Sequence, residues 1–133
     1  MKELAYIGAG GFLGTLTRYT IQLMIPAANT GFPWAVLLIN AIGSLFLGWF
    51  FTIAIPEKIT PQLRLAIGTG FTGAFTTFST FTLDIVRLSE GGEWMEAAAY
   101  LLLSVVAGLL LCALGIKLGR AMLAVSQKGS DAR

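Results

Sequence analysis

The sequence predicts an all-α membrane protein of four transmembrane helices, the third broken mid-membrane. Three observations lead there. Of the 133 residues, 56% are hydrophobic and only 12% are charged, where soluble domains carry about 25% charge; the mean hydropathy is +0.78. The apolar residues gather into four runs, each close to the roughly 20 residues a helix needs to cross a bilayer. One of those runs contains a stretch, 68–82, with three glycines and six threonines, which is poor material for continuous helix.

The first run extends from about Leu4 to Ile25 and stops at Pro26. Lys2 before it and Pro26-Ala27-Ala28 after it imitate a cleaved leader, but the run is long for a leader's apolar region and Arg18 interrupts it. The second run, about Trp34 to Ile55, stops at Pro56. The third opens with Thr60-Pro61, a helix cap followed by proline in the first turn, and continues to about Leu88. The fourth runs from about Trp94 to Leu123. The connections 26–33, 56–60 and 89–93 leave no room for a soluble domain. Residues 1–125 therefore read as a single four-helix domain, and 126–133 as a polar C-terminal tail. Trp34, Trp94 and Tyr19 near the run ends suit interfacial positions. Seven cations (Lys2, Lys58, Arg64, Lys117, Arg120, Lys128 and Arg133) fall on the side of the termini and two, Arg18 and Arg87, on the other. That bias predicts cytoplasmic termini.

Composition also excludes function classes. There is no histidine and a single cysteine, Cys112, so the sequence argues against a zinc centre, histidine-based nucleophilic catalysis is ruled out, and the chain does not read as an enzyme. A net charge of +2 is too small for a nucleic-acid footprint. Gly8-Ala9-Gly10-Gly11 lacks the third glycine of a dinucleotide loop, since Leu13 stands there. Small residues recur at four-residue spacing at Gly10 and Gly14, at Ser44 and Gly48, and at Ser104, Gly108 and Cys112, with Gly115 and Gly119 beyond. They predict close helix packing.

The third run carries the functional expectation. At membrane depth, backbone leaves the helix only where protein or water satisfies it. A break near 73–77 exposes carbonyls at one half-helix end and amides at the other, groups that hold cations and anions respectively. Thr76, Thr77, Ser79 and Thr80 add hydroxyls. Phe71, Phe75, Phe78 and Phe81 follow helical spacing, which by itself favours plain packing. The alternative uses the positive ring edge, which attracts an anion weakly. Phe78 and Phe81 flank Ser79-Thr80, so edges and hydroxyls can alternate along a path for a small hard anion. Elsewhere, Arg18 reads either as a snorkelling side chain or as an anion lure. Asn40 reads either as glue between helices or as an NH2 donor. Asp84 can pair with Arg87 or Arg18. Tyr100 and Ser104 put two hydroxyls on one helical face.

Gly70-Phe71-Thr72-Gly73-Ala74-Phe75-Thr76-Thr77-Phe78-Ser79-Thr80-Phe81, Gly10-Gly11-Phe12-Leu13-Gly14 with Arg18-Tyr19, and Asn40-Ala41-Ile42-Gly43-Ser44 with Gly48 together resemble the Fluc/CrcB family of fluoride channels over nearly the whole chain. The resemblance implies an antiparallel dual-topology dimer with two fluoride pores, passively exporting fluoride across the bacterial cytoplasmic (inner) membrane as a means of fluoride resistance. It implies that Phe78 and Phe81 turn ring edges to the ion, that Asn40, Tyr100 and Ser104 line the pore with Ser79 and Thr80, and that Arg18 lies near the vestibule. It implies further that the carbonyls of Gly73 and Thr76 hold a structural sodium at the dimer interface, and that Asp84 stands where the family has an acid. Two features depart from the pattern. Val36 replaces a threonine and Gly108 a serine of the polar track, and the seven-to-two charge bias admits pairing with a homologous subunit instead of a homodimer. A small four-helix proton-coupled multidrug antiporter is the alternative; it needs a deep acid, for which Asp84 is the one candidate.

Overall fold

In the computed structural model the backbone is described for residues 2–25, 31–55 and 59–131, and side chains as far as Val125. Helices are the regular structure of the described residues, which contain no strand. Helix α1 spans Lys2–Met24 and α2 spans Trp34–Ile53. The third region is composite. Its first helix, α3, spans Pro61–Arg64. Thr60 caps it, the hydroxyl accepting from the Leu63 amide at 3.3 Å, and Pro61 follows in the first turn as the sequence predicts. A π-helical segment, Leu65–Phe71, comes next, then α4 at Thr72–Phe75. Thr76 and Thr77 are extended, and α5 spans Phe78–Glu90. A turn through Gly92, whose φ of 81° lies in the left-handed region that glycine adopts freely, leads into α6 at Trp94–Asp131. The stretch expected to be a tail from Ser126 onward thus continues α6 as far as Asp131; it contains no proline to stop the helix.

By length and composition, two helices among the described residues can cross a membrane, Trp34–Ile53 and Trp94–Val125. The other two expected spans fall short for different reasons. Glycines, threonines and Arg18 dilute α1, and the third region is divided at Thr76–Thr77. The outer surface is apolar even so: Leu102, Leu109 and Leu110 of α6 are each more than 60% exposed, a patch that water does not favour.

Packing follows the small residues. A Cβ on Gly10 would collide with the Ala66 carbonyl, one on Gly14 with the Phe71 carbonyl, and one on Gly70 with the Ile7 carbonyl, so α1 lies backbone to backbone on the third region. Gly48 meets the Cys112 carbonyl, Gly115 the Leu45 carbonyl and Gly119 the Thr52 side chain, joining α2 to α6 in the same way. A buried cluster of Val36, Phe81, Leu88, Ala97 and Tyr100 seats α5 between them.

These contacts predict a graded response to one added methyl group. Gly48→Ala forces the α2 and α6 backbones apart and is expected to destabilise the bundle by about 1–3 kcal/mol. Gly8→Ala, which meets nothing within 4 Å, is expected to be neutral or stabilising, because alanine is the better helix former. Thermal unfolding of the two variants in the same detergent checks the ordering.

Candidate functional site

Backbone hydrogen bonding ends before the third region is complete. The Thr76 amide still reaches the Thr72 carbonyl at 3.0 Å. The next amide does not follow: Thr77 N–H donates to Asn40 Oδ1 at 2.8 Å, while Asn40 Nδ2 donates to the Thr77 carbonyl at 3.0 Å. One side chain of α2 thus takes both polar groups of the residue at the interruption. Ser44, a turn later on α2, donates to the Asn40 carbonyl at 2.8 Å. Gly43 makes the approach possible, since a Cβ there would strike the Thr76 methyl and crowd the Phe75 ring.

Thr77 also begins α5. Its hydroxyl accepts from the Thr80 amide at 3.1 Å, as a helix cap does, and donates to Thr80 Oγ1 at 2.9 Å. A hydroxyl has one proton, so the 3.3 Å hydrogen bond between Ser79 Oγ and Thr77 Oγ1 has Ser79 as donor. The proton of Thr80 is left for another acceptor. Thr76 turns its hydroxyl back to the Thr72 carbonyl at 2.9 Å, and its own carbonyl is not used that way.

An open groove of about 520 Å³ runs along these groups. Of the residues singled out from the sequence, Asn40, Gly73, Thr76, Phe78, Phe81 and Ser104 line it. The Phe78 and Phe81 rings lie 5.8 Å apart at 42°; Phe78 is 78% exposed and Phe81 is buried. Tyr100 sits behind Phe81 at 5.3 Å between ring centroids, fully buried. Its hydroxyl and that of Ser104 are buried without a partner. Thr80 lines a second cavity of about 440 Å³ with Gln22, Asp84, Arg87 and Glu93. There Arg87 Nη1 lies 3.8 Å from Asp84 Oδ1, so of the two partners open to Asp84 the structure gives it Arg87. Ser79 is exposed and lines neither cavity, and Arg18 stands apart from both with its Nε buried and unpartnered.

Three residues take a larger part than the sequence reading gives them, which counts Thr77 among the hydroxyls and Ser44 among the packing residues. Thr77 is the node of the interruption, and its signal was present: a threonine directly before an amphipathic helix is a cap. Ser44 stands four residues after Asn40, the back-bonding spacing. Thr72, buried and facing both the π-helical segment and the groove, gave no signal that separates it from its neighbouring threonines. Val36, where a hydroxyl was expected to be lost, packs in the buried cluster beside Phe81 and Tyr100.

An interrupted helix whose two ends, with hydroxyl and phenylalanine side chains, border one groove of an apolar bundle is an arrangement shared with the class of membrane proteins that handle small ions. The comparison with known proteins is narrower. The profile of the family described as "CrcB-like protein, Camphor Resistance (CrcB)" matches residues 5–116. A fluoride-specific ion channel FluC of Chlorobium phaeobacteroides (strain BS1) is 37% identical over 118 residues, 88% of this chain and 92% of that one. FluC 1 of Bacillus cereus (strain ATCC 14579) is 43% identical over 123 residues, 90% and 85% of the two chains. The FluC of Prosthecochloris aestuarii is 39% identical over 115 residues, 86% and 90%. The chain belongs to the CrcB family.

The two Asn40–Thr77 hydrogen bonds give a prediction. Asn40→Leu orphans a buried N–H and a buried C=O, each at a cost of about 1–3 kcal/mol, whereas Asn40→Asp keeps an acceptor for the Thr77 amide. Thermal unfolding is expected to rank wild type above Asn40→Asp and Asn40→Asp above Asn40→Leu.

Proposed function

We propose that this membrane protein is a fluoride-selective channel that lets fluoride leave the cell passively, and that it is not an enzyme. One observation carries the reading: the groove beside the interrupted helix brings the Phe78 and Phe81 rings together with the Asn40 and Ser104 donors in a chain whose relatives are named fluoride-specific channels. Fluoride is small and strongly hydrated, so a path for it must replace water hydrogen bonds one by one. The Asn40 NH2 group has two protons and spends one on Thr77; the other is available to an anion. The hydroxyls of Ser104 and Tyr100 are unspent, and Thr80 keeps its proton. The Phe78 and Phe81 edges add a weak attraction, which suits conduction, because an ion held too firmly does not leave. Thr80 borders the second cavity, where Arg87 offers positive charge; Ser79 supports it through its bond to Thr77, and Arg18 serves nearer the aqueous mouth.

The working form is an antiparallel, dual-topology dimer with two such paths, seated in the bacterial inner membrane, built either from two copies of this chain or from this chain and a homologous subunit. The seven-to-two cation bias favours the second arrangement. The residues fit a structural sodium at the dimer centre. Gly73 is exposed with open space about its Cα, Thr76 has turned its N–H and hydroxyl back into the protein, and a helix C-terminus carries partial negative charge. The Gly73 and Thr76 carbonyls of both subunits would hold the ion, which neutralises two facing helix ends. The antiporter alternative is weaker, because its one candidate acid, Asp84, lies toward the end of the third region with Arg87 3.8 Å away and outside the groove.

Protein in liposomes is expected to release fluoride at a rate that chloride does not match; equal chloride flux, or none of either ion, would sink the reading. Phe81→Ile is expected to cut fluoride flux at least tenfold while the protein remains folded, and unchanged flux would remove the ring-edge role. Accessibility reporters on both termini are expected on both faces for a homodimer and on one face for a pair with a homologous subunit.

A further inference from the structure

We propose that Thr72 is a positioning residue: together with the π-helical segment before it, it fixes where the carbonyls at the end of α4 point. It rests on the proposed function only for what those carbonyls face. Thr72 is 2% exposed. Its hydroxyl donates to the Ile67 carbonyl at 2.9 Å, and its N–H is shared between the Ile67 and Thr69 carbonyls. Its own carbonyl accepts twice, from the Thr76 amide at 3.0 Å and the Thr76 hydroxyl at 2.9 Å. Two doubled links in series therefore run from the wide turn to the interruption.

Threonines that bond back along a helix are common, and Thr17, Thr20 and Thr52 do so to the carbonyl four residues earlier. Thr72 differs because its partner lies five residues back, across the wider π turn. A π-helical turn is a rare conformation with an i→i+5 repeat, frequent at functional sites. Here α1 clamps one side of it, with Gly10 against the Ala66 carbonyl and Gly70 against the Ile7 carbonyl. The Thr72 hydroxyl is the polar pin at its far end. An α-helix turns about 100° per residue, so a π turn that relaxed by one residue would swing the Gly73 and Thr76 carbonyls away from the groove mouth. The doubled bond at Thr72 opposes that slip, and the doubled bond at Thr76 then commits that residue's donors inward.

Thr72→Val keeps the shape and deletes the hydroxyl, and Thr72→Ser restores it. In reconstituted protein, Thr72→Val is expected to speed amide exchange in residues 70–78 about fivefold, the order of one hydrogen bond's worth, with the other helices unchanged. Maximal fluoride flux is expected to fall about fivefold at an unchanged half-saturating fluoride concentration, and Thr72→Ser is expected to return both to wild type. Unchanged exchange overturns the proposal. Faster exchange with unchanged flux also overturns it, since the hydroxyl would then serve stability alone. If Thr72→Val loosens every helix, Thr72→Cys, a weaker donor of similar size, is held to the same outcomes. Wild-type protein without fluoride flux overturns the channel reading instead, and the exchange pattern alone then decides the role of Thr72.

Discussion

The groove depends on the two hydrogen bonds between the Asn40 amide and the backbone of Thr77. A helix interrupted in apolar surroundings leaves backbone groups that no water reaches, and each such group costs free energy until it finds a partner. Asn40 presents one donor and one acceptor in one plane, so it can replace a neighbouring peptide unit. Once it does so, Thr76 and Thr77 can stay extended. The half-helix ending at Phe75 and the one starting at Phe78 then become two separate ends, one rich in carbonyls and one rich in amides. Without that brace the cheaper solution would be a continuous helix, and neither end would exist.

The brace in turn requires α2 to lie very close to the third region and to stay there. Apolar side chains do not drive helices together in an apolar solvent, so close approach of backbones has to do it. Gly43 admits the Thr76 methyl, and Gly48 and Gly115 lock α2 against the α6 backbone. The small-residue stripes thus fix the distance from Asn40 to Thr77, which is why residues with no polar chemistry of their own decide whether the polar site forms.

How much of this the sequence reveals varies with the kind of interaction. Apolar runs and prolines mark the helices, because burial and helix stopping are local properties; Thr60-Pro61 marks a helix start to the residue. The stretch 68–82 shows that something other than plain helix is there, and the interruption falls at Thr76–Thr77, within the range that the glycines and threonines point to. The π-helical segment is not legible, since Leu65–Phe71 carries nothing that separates a wide turn from an α turn; it is held by contacts with α1 and by Thr72. The partner of Asn40 is 37 residues away in sequence. A mid-helix asparagine predicts a bond but not to whom; the residues leave helix glue and an NH2 donor both open, and the family resemblance favours the pathway. Thr77 is readable as a cap, yet its place among the six threonines of 68–82 hides which one is the node.

The groups around the interruption share a division of labour. Asn40 gives one proton to the backbone and keeps one. Thr80 receives the Thr77 proton and keeps its own. Thr76 spends both its donors inward and keeps its carbonyl. In each case one bond fixes the group's direction and one binding capacity is left over. A group without the first bond would have to be ordered at the moment an ion arrives, and that entropy would be subtracted from each contact. A group without the second would be inert. The same division limits affinity, because no position offers a full shell of donors and an ion moves on only by exchanging one partial shell for the next. Rigid, incompletely satisfied groups in sequence are what passive selective conduction requires, and the Asn40–Thr77 brace makes that arrangement compatible with a bundle whose exterior is apolar.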